Sequence, residues 1–84
     1  MCACGKNTPS GTYIGYLNGQ EFATLTFDGN TVVYKAADRR TKGTYVMDGN
    51  TVKVSYENGN SDQFEYNAEK DTLNYMGLMT FTKN

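Results

Sequence analysis

With no histidine among its 84 residues, this chain lacks the usual general base at neutral pH and the commonest transition-metal ligand. Chemistry must come from tyrosines, carboxylates, basic side chains and two cysteines. Tyr13, Tyr34, Tyr45, Tyr66 and Tyr75 all fall on the inward positions of the strands assigned below. Buried tyrosine hydroxyls need hydrogen-bond partners, so these five are the candidate lining of a polar-rimmed ligand pocket. Lys35, Arg39, Arg40 and Lys42, diluted by Asp38, form a basic hairpin tip suited to an anionic partner such as teichoic acid, a lipid head group or an acidic protein. Glu57, Asp62, Glu65, Glu69 and Asp71 make the other half acidic. A calcium loop needs an ordered oxygen series ending in a bidentate Glu, and none is present, so no metal or other cofactor is expected. No Ser or Thr has a His partner, and the carboxylates fall on loops and outer faces with no cleft for paired acid–base work. The expectation is a protein that is not an enzyme.

These side chains are positioned by a repeated phrase. Phe27-Asp28-Gly29-Asn30-Thr31-Val32 returns as Met47-Asp48-Gly49-Asn50-Thr51-Val52, each time between alternating apolar and polar residues. Asp-Gly in that setting is a hairpin signal, read here as a type I′ turn. Centred on Asp28-Gly29, the turn pairs Leu25 with Val32 and Ala23 with Tyr34. Centred on Asp48-Gly49, it pairs Tyr45 with Val52 and Gly43 with Val54. At Asn58-Gly59-Asn60 a three-residue loop is needed to keep Phe64 inward, and it pairs Val54 with Phe64 and Lys53 with Glu65. Tyr13 faces Leu25 if the loop at Asn18-Gly19 is also odd, and Met76-Gly77-Leu78 closes a last hairpin. Ala37 to Lys42 and Asn67 to Asp71 read as two longer polar connections, the second as a break in the sheet.

The predicted fold is therefore all-β: an antiparallel meander of about eight short strands. It forms either a small up-and-down barrel or an orthogonal sandwich. Closure is attractive because it removes exposed strand edges. The length admits one domain, over residues 11–84, preceded by a tether over 1–10. The net charge of −1 sets up no field favouring nucleic acid or a membrane surface. A monomer is expected.

Met1-Cys2-Ala3-Cys4-Gly5-Lys6 resembles the end of a bacterial lipoprotein signal, in which a small residue precedes the lipidated Cys. On that resemblance Cys4 carries the lipid, Ala3 is the small residue, and the segment to Ser10 is a tether. Met1 stands where Leu is usual, and the expectation is that the basic and apolar parts of the signal have been removed. Gly11-Thr12-Tyr13-Ile14-Gly15, Thr24-Leu25-Thr26-Phe27-Asp28-Gly29-Asn30, Gly43-Thr44-Tyr45, Tyr66-Asn67-Ala68-Glu69-Lys70-Asp71-Thr72-Leu73 and Met79-Thr80-Phe81-Thr82-Lys83 resemble small lipocalin-like lipoprotein domains of Gram-positive gut bacteria. The resemblance spans nearly the whole chain after Ser10 and implies a barrel-like fold on the extracellular face of the membrane, held by the lipid alone. It supplies no catalytic residues.

Three functions follow as expectations. The first is a binding module of the cell envelope, using the basic tip and exposed faces with Tyr16, Phe22 and Tyr56. The second is a small-ligand carrier with a tyrosine-lined interior. The third is an inhibitor of a host envelope-degrading enzyme such as lysozyme, although the chain lacks the cysteine staple associated with such inhibitors.

Overall fold

The computed structural model describes residues 8–83; Cys2 and Cys4 lie outside them. The described chain is eight strands in sequence order. They are β1 (Gly11–Leu17), β2 (Gln20–Asp28), β3 (Thr31–Ala36), β4 (Arg39–Asp48), β5 (Thr51–Tyr56), β6 (Ser61–Asn67), β7 (Thr72–Tyr75) and β8 (Met79–Lys83). Each strand pairs antiparallel with the next, and β8 pairs back onto β1 through Gly15↔Phe81, Ile14↔Thr82 and Tyr13↔Lys83, closing a barrel. Of the two predicted architectures, the barrel is the one formed, and no strand edge is left open.

Period-2 alternation places the core inside the barrel. Tyr13, Leu25, Val32, Val52, Val54, Leu73 and Phe81 are all at most 1% exposed, and Phe27 and Phe64 complete the filling. Edge-to-face contacts link Tyr13 to Phe27, Phe27 to Tyr45 and Phe64 to Phe81, with ring centroids 5.2–5.7 Å apart. The middle of a small eight-stranded barrel has room for little else.

Both Asp-Gly turns are centred one residue later than expected. Asp28 pairs with Thr31 and Asp48 with Thr51, so Gly29-Asn30 and Gly49-Asn50 are the loops. Only the glycine of each takes positive φ, 63° and 64°. That is the type II′ pattern, not the expected type I′. Moving the centre by one residue moves every partner by two. Val32 therefore meets Phe27 and Tyr45 meets Val54, yet each side chain keeps its predicted face. The β5–β6 loop is odd as expected but lies one residue earlier. The Tyr56 amide bonds the Asn60 carbonyl at 2.8 Å around Glu57-Asn58-Gly59, and Lys53 stands opposite Gln63 instead of Glu65. Lys53 pairs with Asp48 at 3.1 Å.

Three further expectations are corrected. The β1–β2 loop has two residues, with Asn18 and Gly19 both at positive φ. Tyr13 still faces Leu25 because a bulge leaves Phe22 unpaired between Ala23 and Glu21. Ala37 to Lys42 is not a long connection: Ala36 pairs with Arg39 across a two-residue turn, and β4 already begins at Arg39. Asn67 to Asp71 does not break the sheet either, because Asn67 pairs with Thr72 and four residues suffice to turn.

The meander sorts its loops between two ends. Loops after β2, β4 and β6 lie at the same end as the start of β1, the proximal end. Loops after β1, β3, β5 and β7 lie at the distal end. The chain is seated on the barrel before β1 begins, since Pro9 is buried and the Ser10 amide donates to Tyr13 Oη at 3.3 Å.

Candidate functional site

The five candidate tyrosines do not converge on one mouth. Tyr13, Tyr45 and Tyr66 gather at the proximal end, whereas Tyr34 and Tyr75 lie at the distal end. A carboxylate sits at each end, Asp71 against Tyr13 and Tyr66 and Asp62 against Tyr75.

At the proximal end that carboxylate is Asp71. Tyr13 Oη donates to Asp71 Oδ1 at 2.5 Å and Tyr66 Oη to the same oxygen at 2.9 Å. Lys83 Nζ lies 3.5 Å from Oδ2 and 5.3 Å from the centre of the Tyr13 ring. Burial by itself would raise the Asp71 carboxyl pKa. The two hydroxyl donors and the Lys83 ammonium outweigh it and hold the group below the usual carboxylate range. Burial raises the Tyr13 and Tyr66 hydroxyls, with the hydrogen bond to Asp71 adding to it. The Tyr13 and Tyr66 hydroxyls and the Lys83 ammonium all meet Asp71, so these four side chains form a polar clasp at the proximal end.

A depressed carboxyl stabilises the fold above its unfolded pKa, and that contribution is lost as pH falls through the folded value. The melting temperature of the native chain should therefore fall on acidification below about pH 5, from where carboxyls begin to take up protons. Asp71→Asn should have a visibly shallower acid arm, because that titration is gone. Parallel arms in scanning calorimetry between pH 6 and pH 3 would count against the clasp.

The distal end is built differently. Val54 pairs with Asp62, which turns Asp62 to the inner side. Tyr75 Oη donates to Asp62 Oδ1 at 3.2 Å, long for a hydroxyl donor. Tyr34 packs against Tyr56 with ring centroids 6.1 Å apart, and Phe64 against Tyr75 at 5.2 Å. Burial raises the Tyr34 hydroxyl and the Asp62 charge adds to it; for Tyr75 the Asp62 charge is the larger cause. The Tyr56 hydroxyl is also raised, by burial first and by nearby Asp62 second. It is buried close to the Asp62 carboxylate but makes no hydrogen bond of good geometry to it or to any other group, the one such side-chain atom among the described residues. An orphan buried hydroxyl costs on the order of 1–3 kcal/mol.

Two adjoining spaces open here. A cavity of about 120 Å³ is lined by Phe22, Tyr34, Asp62, Phe64, Tyr75 and Phe81 among others. A cleft of about 390 Å³ shares Tyr34 and Asp62 with it and adds Arg39, Tyr56, Asn58 and Asn60. The second lies within the range of small-molecule sites, roughly 300–1,000 Å³. The Asn60 amide donates to Asn58 Oδ1 at 2.9 Å, fixing the loop that forms its rim.

The basic tip divides as well. Lys35 stands directly opposite Arg40, and Lys42 opposite Val33, all on the outer face. Arg39 stands opposite Ala36 on the inner side and borders the cleft. None of the four forms an ion pair among the described residues. Like charges facing each other across a ladder are destabilising, so the Lys35–Arg40 pair works against the fold.

Tyr56 is a correction: it is buried, not part of an exposed face. Its position was legible, since it continues the inward series Val52, Val54, Tyr56. Asp62 was missed for the same reason, since it precedes Phe64 and Tyr66 at the same parity. Tyr16 and Phe22 are half exposed as expected. No group of three or more metal-ligating side chains occurs among the described residues. No protein-family model, curated protein or solved structure matches the chain.

Proposed function

We propose that this chain is a non-enzymatic binding module of the bacterial cell envelope, anchored through Cys4 on the extracellular face and meeting an acidic partner with its distal end. The observation that carries this reading is the composition of that end. Tyr16, Leu17, Phe22, Met76 and Leu78 are five of the six exposed large hydrophobic residues among the described ones. All five flank the β1–β2 and β7–β8 loops, which the β1–β8 pairing makes neighbours. The next loop, Ala37-Asp38, brings Lys35, Arg39 and Arg40 to the same end. Exposed aromatic, Met and Arg side chains are what interfaces enrich. An anchor before Pro9 would hold the proximal end to the membrane and leave these loops facing outward. The lipocalin-like resemblance agrees with the barrel and adds nothing about the partner.

The test is co-sedimentation of the purified chain with isolated Gram-positive cell-wall material. The native chain should sediment, and less so as salt rises. Met76→Ser/Leu78→Ser and Lys35→Ser/Arg40→Ser should each sediment roughly threefold less or worse, while their stability changes by about 0.5 kcal/mol or less, as for surface substitutions. Equal sedimentation of all three would reject the reading. The orphan Tyr56 hydroxyl in the distal cleft favours a second reading, that the same end also receives a small molecule.

A further inference from the structure

We propose that the distal cleft binds a free α-amino acid with an apolar side chain, its ammonium on Asp62 and its carboxylate on Arg39. This inference deepens the small-molecule reading above and rests on it.

Two opposite charges at the distal end do not meet. Asp62 and Arg39 border one cleft with opposite signs. Neither belongs to an ion pair among the described residues. A carboxylate and a guanidinium that border one open cleft without pairing are complementary to a molecule carrying both opposite charges. Arg presents a planar fork matched to a carboxylate. On the other side, Asp62 accepts the long Tyr75 hydrogen bond, has the Tyr56 hydroxyl close by, and retains acceptor capacity for an ammonium. Tyr34, Tyr56 and Tyr75 surround it, and aromatic faces favour a cation close by.

The second observation is the orphan hydroxyl. Tyr56 is 8% exposed, lines the cleft, and its Oη has no partner. Buried polar atoms in native proteins are nearly always satisfied, and an exception needs a reason. The Tyr56 oxygen is closed to solvent and lies beside Asp62, so a ligand seated on Asp62 gives it a partner once the carboxylate shifts. The third observation sets the side chain. The cavity beside the cleft is bounded by Phe22, Phe64, Tyr75, Met79 and Phe81. Its volume of about 120 Å³ suits an aliphatic side chain and is too small for a sugar ring with its hydration. The bulge leaves Phe22 without a ladder partner at the edge of this wall.

The test is an amide NMR titration of the purified full chain with leucine, glycine, isoamylamine, 4-methylvalerate and glucose. Leucine should move amides of Tyr34, Arg39, Tyr56 and Asp62 and saturate. Isoamylamine and 4-methylvalerate, each lacking one charge, should bind roughly tenfold more weakly, since one lost charged contact is worth about that factor; glycine keeps both charges but buries no side chain and should also bind roughly tenfold or more weakly. Asp62→Asn and Arg39→Gln should each weaken leucine binding roughly tenfold. Arg39 is exposed, so its variant keeps the fold whatever happens at Asp62. Tyr56→Phe should weaken binding while the melting temperature stays or rises, because it deletes an unsatisfied group. A purely structural tyrosine would lose stability instead. Absence of saturable shifts with leucine, equal binding of the amine or acid alone, saturation by glucose, or unchanged binding by Asp62→Asn and Arg39→Gln would each overturn the assignment. Sedimentation with cell walls reads Met76, Leu78, Lys35 and Arg40, so a chain that sediments but ignores leucine loses the ligand and keeps the module.

Discussion

Gly43→Ala should lower the melting temperature by about 10 °C or more, taking about 4–8 °C per kcal/mol for a domain of this size. Gly43 faces inward in β4, directly opposite Tyr56 in β5. A Cβ built at Gly43 would lie 2.3 Å from the Ser55 carbonyl oxygen and 3.0 Å from the Tyr56 Cα. Both contacts are backbone atoms, so no rotamer change relieves them. Either the β4–β5 ladder separates locally or β4 bends away from the core. Overpacking a core costs roughly 1–3 kcal/mol, and a clash with backbone sits at the upper end. The same methyl at Gly15 meets only the Phe81 ring, 2.7 Å away, which can shift. Gly15→Ala should therefore be the milder of the two. Equal melting of Gly43→Ala and the native chain would mean that β4 and β5 are farther apart than described.

Asp71→Ala is the second large effect. Tyr13 is fully buried and Tyr66 nearly so, and both hydroxyls donate to Asp71 Oδ1. Hydrogen bonds to a charged group are worth about 1.5–3 kcal/mol each. Asp71 is 40% exposed, so water screens it and the low end of that range applies. Asp71 also holds φ of 56°, a left-handed conformation that Asp tolerates and Ala resists by about 1 kcal/mol. Together these amount to roughly 4 kcal/mol, out of a total of about 4–12 kcal/mol for a chain of this length. Tyr13→Phe should cost less, because it removes one donor and leaves Tyr66 on the carboxylate. In a double-mutant cycle Tyr13→Phe and Asp71→Ala should be strongly non-additive. Additive losses would mean that the Tyr13–Asp71 bond contributes nothing.

The architecture was legible in the sequence because face assignment depends only on parity. Leu25, Val32, Val52, Val54, Phe64 and Tyr66 all point inward as expected, even though the turns at Asp28-Gly29, Asp48-Gly49 and Asn58-Gly59 are each displaced by one residue. Turn centres depend on which residue takes positive φ, and Gly-Asn with a type II′ turn competes with Asp-Gly and type I′ at the same phrase. The bulge at Phe22 was not legible. An odd loop and a tight loop plus a bulge give the same pairing of Tyr13 with Leu25.

The site was only half legible. Five inward tyrosines were found, but parity says nothing about which end of a strand a residue occupies. Dividing them between ends requires the loop order of a closed meander. Tyr13, Tyr45 and Tyr66 then fall near the N-terminal end, and Tyr34 and Tyr75 opposite. Asp62 and Asp71 look alike in sequence, both acidic and next to turns. One is saturated by two short hydroxyl bonds and a lysine, and the other accepts a single long one. That difference is a matter of distances, which no spacing rule encodes.

The proximal carboxylate builds the barrel, and the distal carboxylate is held open for a partner. Thermal melts of Asp71→Ala and Asp62→Ala, recorded side by side at neutral pH, test this most directly. Asp71→Ala should fall by about 15 °C or more. Asp62→Ala should stay within about 4 °C of the native chain, since it gives up one long hydrogen bond on a partly exposed tyrosine. Equal losses, or a larger loss at Asp62, would contradict the account.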